Sequence, residues 1–122
     1  MGRFVRGDVV VVPFPFSDLS LSKRRPALVL ADLAGDDLIL CQITSQSVRD
    51  SYSLELLDSD FDSGSLRKPS NIRPNRLFTA DRHIILYKTG SLKKEKIEGV
   101  IDVLVGILKG LHHDDCGGCD GA

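Results

Sequence analysis

At 122 residues the chain has the length of one domain, and folding it would bury roughly two-thirds of the surface its extended form exposes. Hydrophobic residues at 42% and charged residues at 27% exclude a disordered chain, and no apolar run approaches the ~18 residues of a membrane span. A net charge of −1 excludes coating of nucleic acid by bulk attraction, but it leaves room for a local cationic site.

Met1-Gly2-Arg3 leads to Gly7-Asp8 without the apolar stretch of a leader peptide, which predicts a cytoplasmic protein. Gly7-Asp8 is a turn signal before the β-branched run Val9 to Val12, which is expected to stop at Pro13 because proline cannot donate to a ladder. PFPFSDLSLSKR, residues 13–24, reads as a loop in which Phe14 and Phe16 are better suited to core packing than to stacking on bases. Pro26 to Ala31 is the next strand, Gly35-Asp36-Asp37 a tight turn, and Leu38 to Thr44 the returning arm of a hairpin. Within that arm Cys41 reads as an inert core residue. Three cysteines are too few for a disulfide framework and fit a reducing compartment.

Ser53 to Leu57 alternates polar and apolar residues as a half-buried strand does, and Asp58 to Ser70 reads as a second long loop. Short strands are predicted at Leu77 to Thr79 and Ile84 to Tyr87. The period then changes. Ile97, Val100, Ile101, Leu104, Val105, Leu108 and Leu111 fall on one helical face, placing a helix at about 92–109 with Ser91 as N-cap and Gly110 as terminator. Val103 and Ile107 extend the apolar surface, toward either a second subunit or a wider contact with the chain's own sheet. The last eleven residues, HHDDCGGCDGA, have no periodicity and read as a mobile tail behind a single domain at 1–111. His112, His113, Cys116 and Cys119 are competent zinc ligands, but they lie in one glycine-rich segment rather than on separated ordered elements, so no metal is assigned to them.

Positive charge is unevenly spread: Lys23, Arg24 and Arg25 form one cluster, and Arg67, Lys68, Arg73 and Arg76 a later one. An arginine fork matches a phosphate with two parallel donors and stays charged at physiological pH. If the hairpin turns at Gly35, residues whose numbers sum to about 70 lie opposite each other, which brings Arg25 beside Thr44, Ser45 and Gln46. That set fits an anion site. It equally fits solubilising cations and hydroxyls that only finish two strand ends.

GDVVVVPFPFSD (7–18), RRPALVL (24–30), QITSQ (42–46) and SNIRPNRLFTADRHII (70–85), followed by an amphipathic helix, together resemble the MazF/PemK family of toxin endoribonucleases over about residues 7–110. The resemblance implies a mainly β fold with a C-terminal helix, a small SH3-like β-barrel of the MazF/PemK/CcdB toxin type. It implies a homodimer that cuts single-stranded RNA without metal or cofactor, controlled by a cognate antitoxin that covers the RNA groove. By the same resemblance Arg25, Thr44 and Arg73 are catalytic, while Lys23, Arg24, Ser45, Gln46, Asn75 and Arg76 bind substrate. The expected reaction is attack of the neighbouring 2′-hydroxyl on phosphorus. Two departures shift weight onto Arg25 and Thr44: Asn75 stands where some relatives have an aspartate, and residues 13–24 lack the histidine found in others. Asp81 and His83 are nearby titratable alternatives better suited to structural roles. A barrel that binds RNA or a partner without cutting, or a metal protein acting through its tail, are the competing functions.

Overall fold

Runs such as Val9 to Val12 and Ala27 to Leu30 do not alternate with polar residues, and the structure shows the reason: these strands are buried on both faces. The computed structural model describes residues 4–14, 23–48 and 50–111, without the side chains of Phe14 and Lys23. The expectations for Phe16, for the Lys23 side chain and for the His112–Cys119 pattern lie outside those described residues.

The strands are β1 (Asp8–Phe14), β2 (Lys23–Asp32), β3 (Asp37–Thr44), β4 (Leu54–Leu56), β5 (Phe61–Gly64), β6 (Ser70–Asp81) and β7 (Tyr87–Leu92), and the chain then enters helix α1 (Lys94–Lys109). All seven strands join one antiparallel sheet in the order β4-β6-β3-β2-β1-β7-β5, curled into a half-barrel. The expected mainly β architecture with a terminal helix is borne out in this form.

Strand alternation sorts the core into two layers. Val9, Leu28, Leu30, Cys41, Ile43 and Ile72 point toward α1, whose Val100 is fully buried among them. Val10, Val12, Ala27, Val29, Leu38 and Leu40 fill the other face with Phe4, Phe78 and Ile85 packed beside them. Burial pushes the Cys41 thiol up to about 12, so it stays protonated and unreactive, as its sequence context predicts.

Several boundaries differ from the sequence expectation. Pro13 lies inside β1 opposite Arg24, a position it can occupy because the pairing of β1 with β7 ends at Val11. Residues 58–70 are not one long loop. They contain a short 3-10 turn at Asp58–Asp60 and the edge strand β5, which pairs with β7 through the close approach of Gly64 to Gly90. β6 runs for twelve residues through Pro74, which sits where the ladder to β3 skips from Leu77 to Arg73. Residues 82–84 form a second 3-10 turn instead of starting a strand. The helix begins at Lys94 with Lys93 at the N-cap, because Ser91 is held in β7, its Oγ 3.0 Å from Ser63 Oγ. Gly110 ends the helix in the left-handed region as expected, with φ at 72°.

The helical stripe also leaves the sheet before its end. Ile97, Ile101 and Leu104 pack on the core, whereas Val105, Leu108 and Leu111 are exposed. Val103 and Ile107 are half-buried. Among the described residues no helix is long and apolar enough to cross a membrane.

Candidate active site

Pro26 lacks the N–H that a further rung toward β3 requires, and the β2–β3 ladder stops one residue later, at Ala27 and Gln42. Extending its register by two residues from that last pair sets Arg25 across from Thr44, one position from the sequence expectation. Beyond the last rung β2 and β3 enclose one end of a surface cleft of about 570 Å³. Arg24, Arg25, Thr44 and Ser45 line it, together with Arg67 and Lys68 from the segment that follows β5. Val11, Ile43 and Tyr87 supply an apolar floor and rim.

The cleft thus gathers four cations, and among the described residues no carboxylate or imidazole lines it. In a chain of net charge −1 this concentration is local, and a concave surface lined by one sign of charge focuses its field on an incoming anion. Thr44 brings a hydroxyl to this cleft. Its Oγ1 accepts the Gln46 backbone N–H at 3.2 Å, which leaves the hydroxyl proton unused by that contact. The same turn is fastened by the Asn71 side-chain amide, which donates to the Gln46 carbonyl at 3.1 Å.

Four of the residues singled out from the sequence, Arg24, Arg25, Thr44 and Ser45, therefore meet in one cleft. Gln46, Arg73, Asn75 and Arg76 do not line it. Gln46 supports Thr44 through its backbone. Arg73 is half-buried and turned to Asp50, its Nη2 donating to Oδ2 at 3.0 Å, while its Nε is buried without a partner among the described residues. Asn75 makes a long contact of 3.5 Å to the same oxygen, and Arg76 is exposed. Asp81 and His83 sit at the far end of β3, since Asp81 pairs with Asp37, roughly 23 Å along the strand from Thr44 at ~3.3 Å per residue. There Asp81 caps the second 3-10 turn by accepting the His83 backbone N–H at 2.8 Å.

Sequence reasoning missed Arg67, Lys68 and Tyr87 as cleft residues and Asp50 as the partner of Arg73. The dibasic step at 67–68 was the available signal for the first pair; Asp50 carries none. Burial pushes the Asp50 carboxyl up, but hydrogen bonds from Arg73 and from the Tyr52 and Ser53 backbone N–H groups, with the Arg73 charge, outweigh it and hold the group below its ordinary value. A depressed folded-state pKa stabilises the fold above the unfolded value, and that contribution is lost as pH falls through the folded one. Asp50→Asn is accordingly expected to destabilise the protein by about 1–2 kcal/mol at neutral pH. In urea unfolding, the gap to wild type is expected to narrow as pH falls below the ordinary carboxylate value of about 4; a gap that is constant with pH would show that the carboxylate charge is not what Arg73 needs.

Residues 5–108 match the family described as PemK-like, MazF-like toxin of type II toxin–antitoxin system. Comparison with curated protein sequences finds no match. Among solved structures, MazF from Deinococcus radiodurans is 20% identical, with 90% of this chain and 99% of that one covered and a TM-score of 0.69. The MazE–MazF structure from the same organism is 19% identical, covering 92% of this chain and 100% of that one, with a TM-score of 0.67. An endoribonuclease in complex with its cognate antitoxin from a mycobacterial species is 12% identical, with 90% and 98% covered and a TM-score of 0.68. At these identities the likeness is one of fold.

Proposed function

The chain belongs to the PemK-like, MazF-like toxin family of type II toxin–antitoxin systems, and from that premise we propose that it is an endoribonuclease that cuts single-stranded RNA in the Arg25–Thr44 cleft. The observation that carries this reading is the cleft itself, four cations and the Thr44 hydroxyl with no carboxylate among its described lining residues. A polyanion is attracted there, and a transition state that gains negative charge is stabilised more than the ground state.

In the proposed reaction the 2′-hydroxyl oxygen bonds to phosphorus and the bond from phosphorus to O5′ breaks, giving a 2′,3′-cyclic phosphate and a 5′-hydroxyl. Charge accumulates on the non-bridging oxygens. The Arg25 guanidinium supplies two fixed donors to them, and the Thr44 hydroxyl adds a third. Solvent water takes the O2′ proton and returns one to O5′, since arginine is a poor proton acceptor. Arg24, Arg67 and Lys68 hold the flanking phosphates, which makes affinity fall with salt. Arg73, engaged by Asp50, acts in this scheme by fixing the segment after Thr44.

Because the guanidinium provides the positive charge, cleavage of single-stranded RNA is expected to proceed in EDTA. Thr44→Ala is expected to slow it on the order of 10²-fold, the usual effect of losing one transition-state donor. RNA binding without any cleavage product would support the binding-module alternative. We further propose that a cognate antitoxin occupies the cleft, as an antitoxin accompanies the mycobacterial neighbour, and that the exposed Val105, Leu108 and Leu111 contribute to a homodimer. Light scattering of the purified chain checks the latter.

A further inference from the structure

A second concavity of about 240 Å³ opens beside the cleft and shares with it Leu66, Arg67 and Lys68. Its apolar floor includes Leu56 and Phe61, and its rim carries Asp58. The acidic residues of this turn are not equivalent. Asp60 is used by the fold, accepting the Leu57 backbone N–H at 2.9 Å and pairing with Lys96 at 3.5 Å. Asp58 is exposed, and among the described residues no hydrogen bond or ion pair engages its carboxylate.

An apolar floor, one acceptor-only group and two cations on the shared wall are the parts of a nucleotide subsite. A phosphate held by Arg67 and Lys68 would set its base over the mouth of this pocket, with the base edge toward Asp58. We propose that this pocket receives an unpaired base next to the scissile linkage, and that Asp58 selects against uracil by accepting a hydrogen bond from an exocyclic amino group. A carboxylate can only accept. Cytosine, adenine and guanine each offer it an amino group, whereas the one edge donor of uracil is flanked by two carbonyl oxygens that repel it. The inference rests on the proposed ribonuclease activity, and Asp58 is a specificity-determining residue rather than a catalytic one.

The test is cleavage of a randomised single-stranded RNA pool by the full chain, with the ends of the products sequenced. The wild type is expected to disfavour uracil by about tenfold or more at one fixed position beside the cut. In Asp58→Asn, whose amide both donates and accepts, and in Asp58→Ala, that bias is expected to disappear while cleavage continues and thermal unfolding stays unchanged. Wild-type cleavage whose base preferences are the same in both variants would overturn the inference and leave the ribonuclease reading intact. No cleavage by the wild type would overturn that reading, and the inference with it.

Discussion

Arg25→Ala is expected to lower the rate of RNA cleavage about 10³-fold, the upper end for loss of a single transition-state donor, because the group removed is charged and bidentate. Folding is expected to be unaffected: Arg25 is half-buried beyond the last rung of the β2–β3 ladder, and its strand is held by the buried run Ala27 to Leu30. Arg25→Lys is expected to recover only a fraction, since an ammonium keeps the charge but not the planar pair of donors. The two substitutions separate two roles. If Lys restores most of the rate, Arg25 acts as a point charge like Arg67 and Lys68; if Ala leaves the rate within tenfold of wild type, the reacting phosphate is held elsewhere. Single-turnover cleavage with circular dichroism of each variant makes the measurement.

That Arg25 and Thr44 meet was legible in the sequence to within one position, because the turn near Gly35 sets the hairpin register; the register shift between Val29 and Ala31 accounts for the offset. The terminal helix was legible from a period sustained over four turns. The part of the cleft that carries Arg67 and Lys68 was not. β5 reads FDSG, with one apolar residue among depleted strand formers, and it exists because β7 offers it an edge. β6 was obscured by Pro74, which the ladder accommodates by skipping residues. The Arg73–Asp50 pair spans 23 residues and lies within no local pattern, so nothing in the sequence announces that the Arg73 guanidinium meets this carboxylate. Pairwise contacts between distant segments are decided by tertiary packing, and charge type alone did not tell the cleft cations Arg67 and Lys68 from Arg73 and Arg76.

The dependence of the cleft on the β5–β7 contact sets the second large expectation. At Gly64 φ is +73°, and an added Cβ would lie 2.1 Å from the Thr89 carbonyl oxygen and 2.5 Å from Gly90 Cα, all backbone atoms that cannot rotate away. Gly64→Ala therefore combines a left-handed backbone with a clash that only strand separation relieves, a cost of about 3 kcal/mol or more and a fall in Tm of roughly 10 °C or more. Gly35→Ala is the control. Its φ is similarly positive at +81° but nothing lies within 4 Å, so it is expected to cost only about 1 kcal/mol. Because β5 is an edge strand of the sheet among the described residues, the strain at Gly64 is relieved by freeing β5 and the segment that carries Arg67 and Lys68. Cleavage is then expected to weaken through KM more than through kcat, since the flanking phosphates lose their contacts while Arg25 and Thr44 stay on β2 and β3. Equal losses of stability in Gly64→Ala and Gly35→Ala would mean that backbone conformation, not the close approach of β5 to β7, governs this edge. An unchanged KM in Gly64→Ala at a temperature where it remains folded would remove Arg67 and Lys68 from the substrate path.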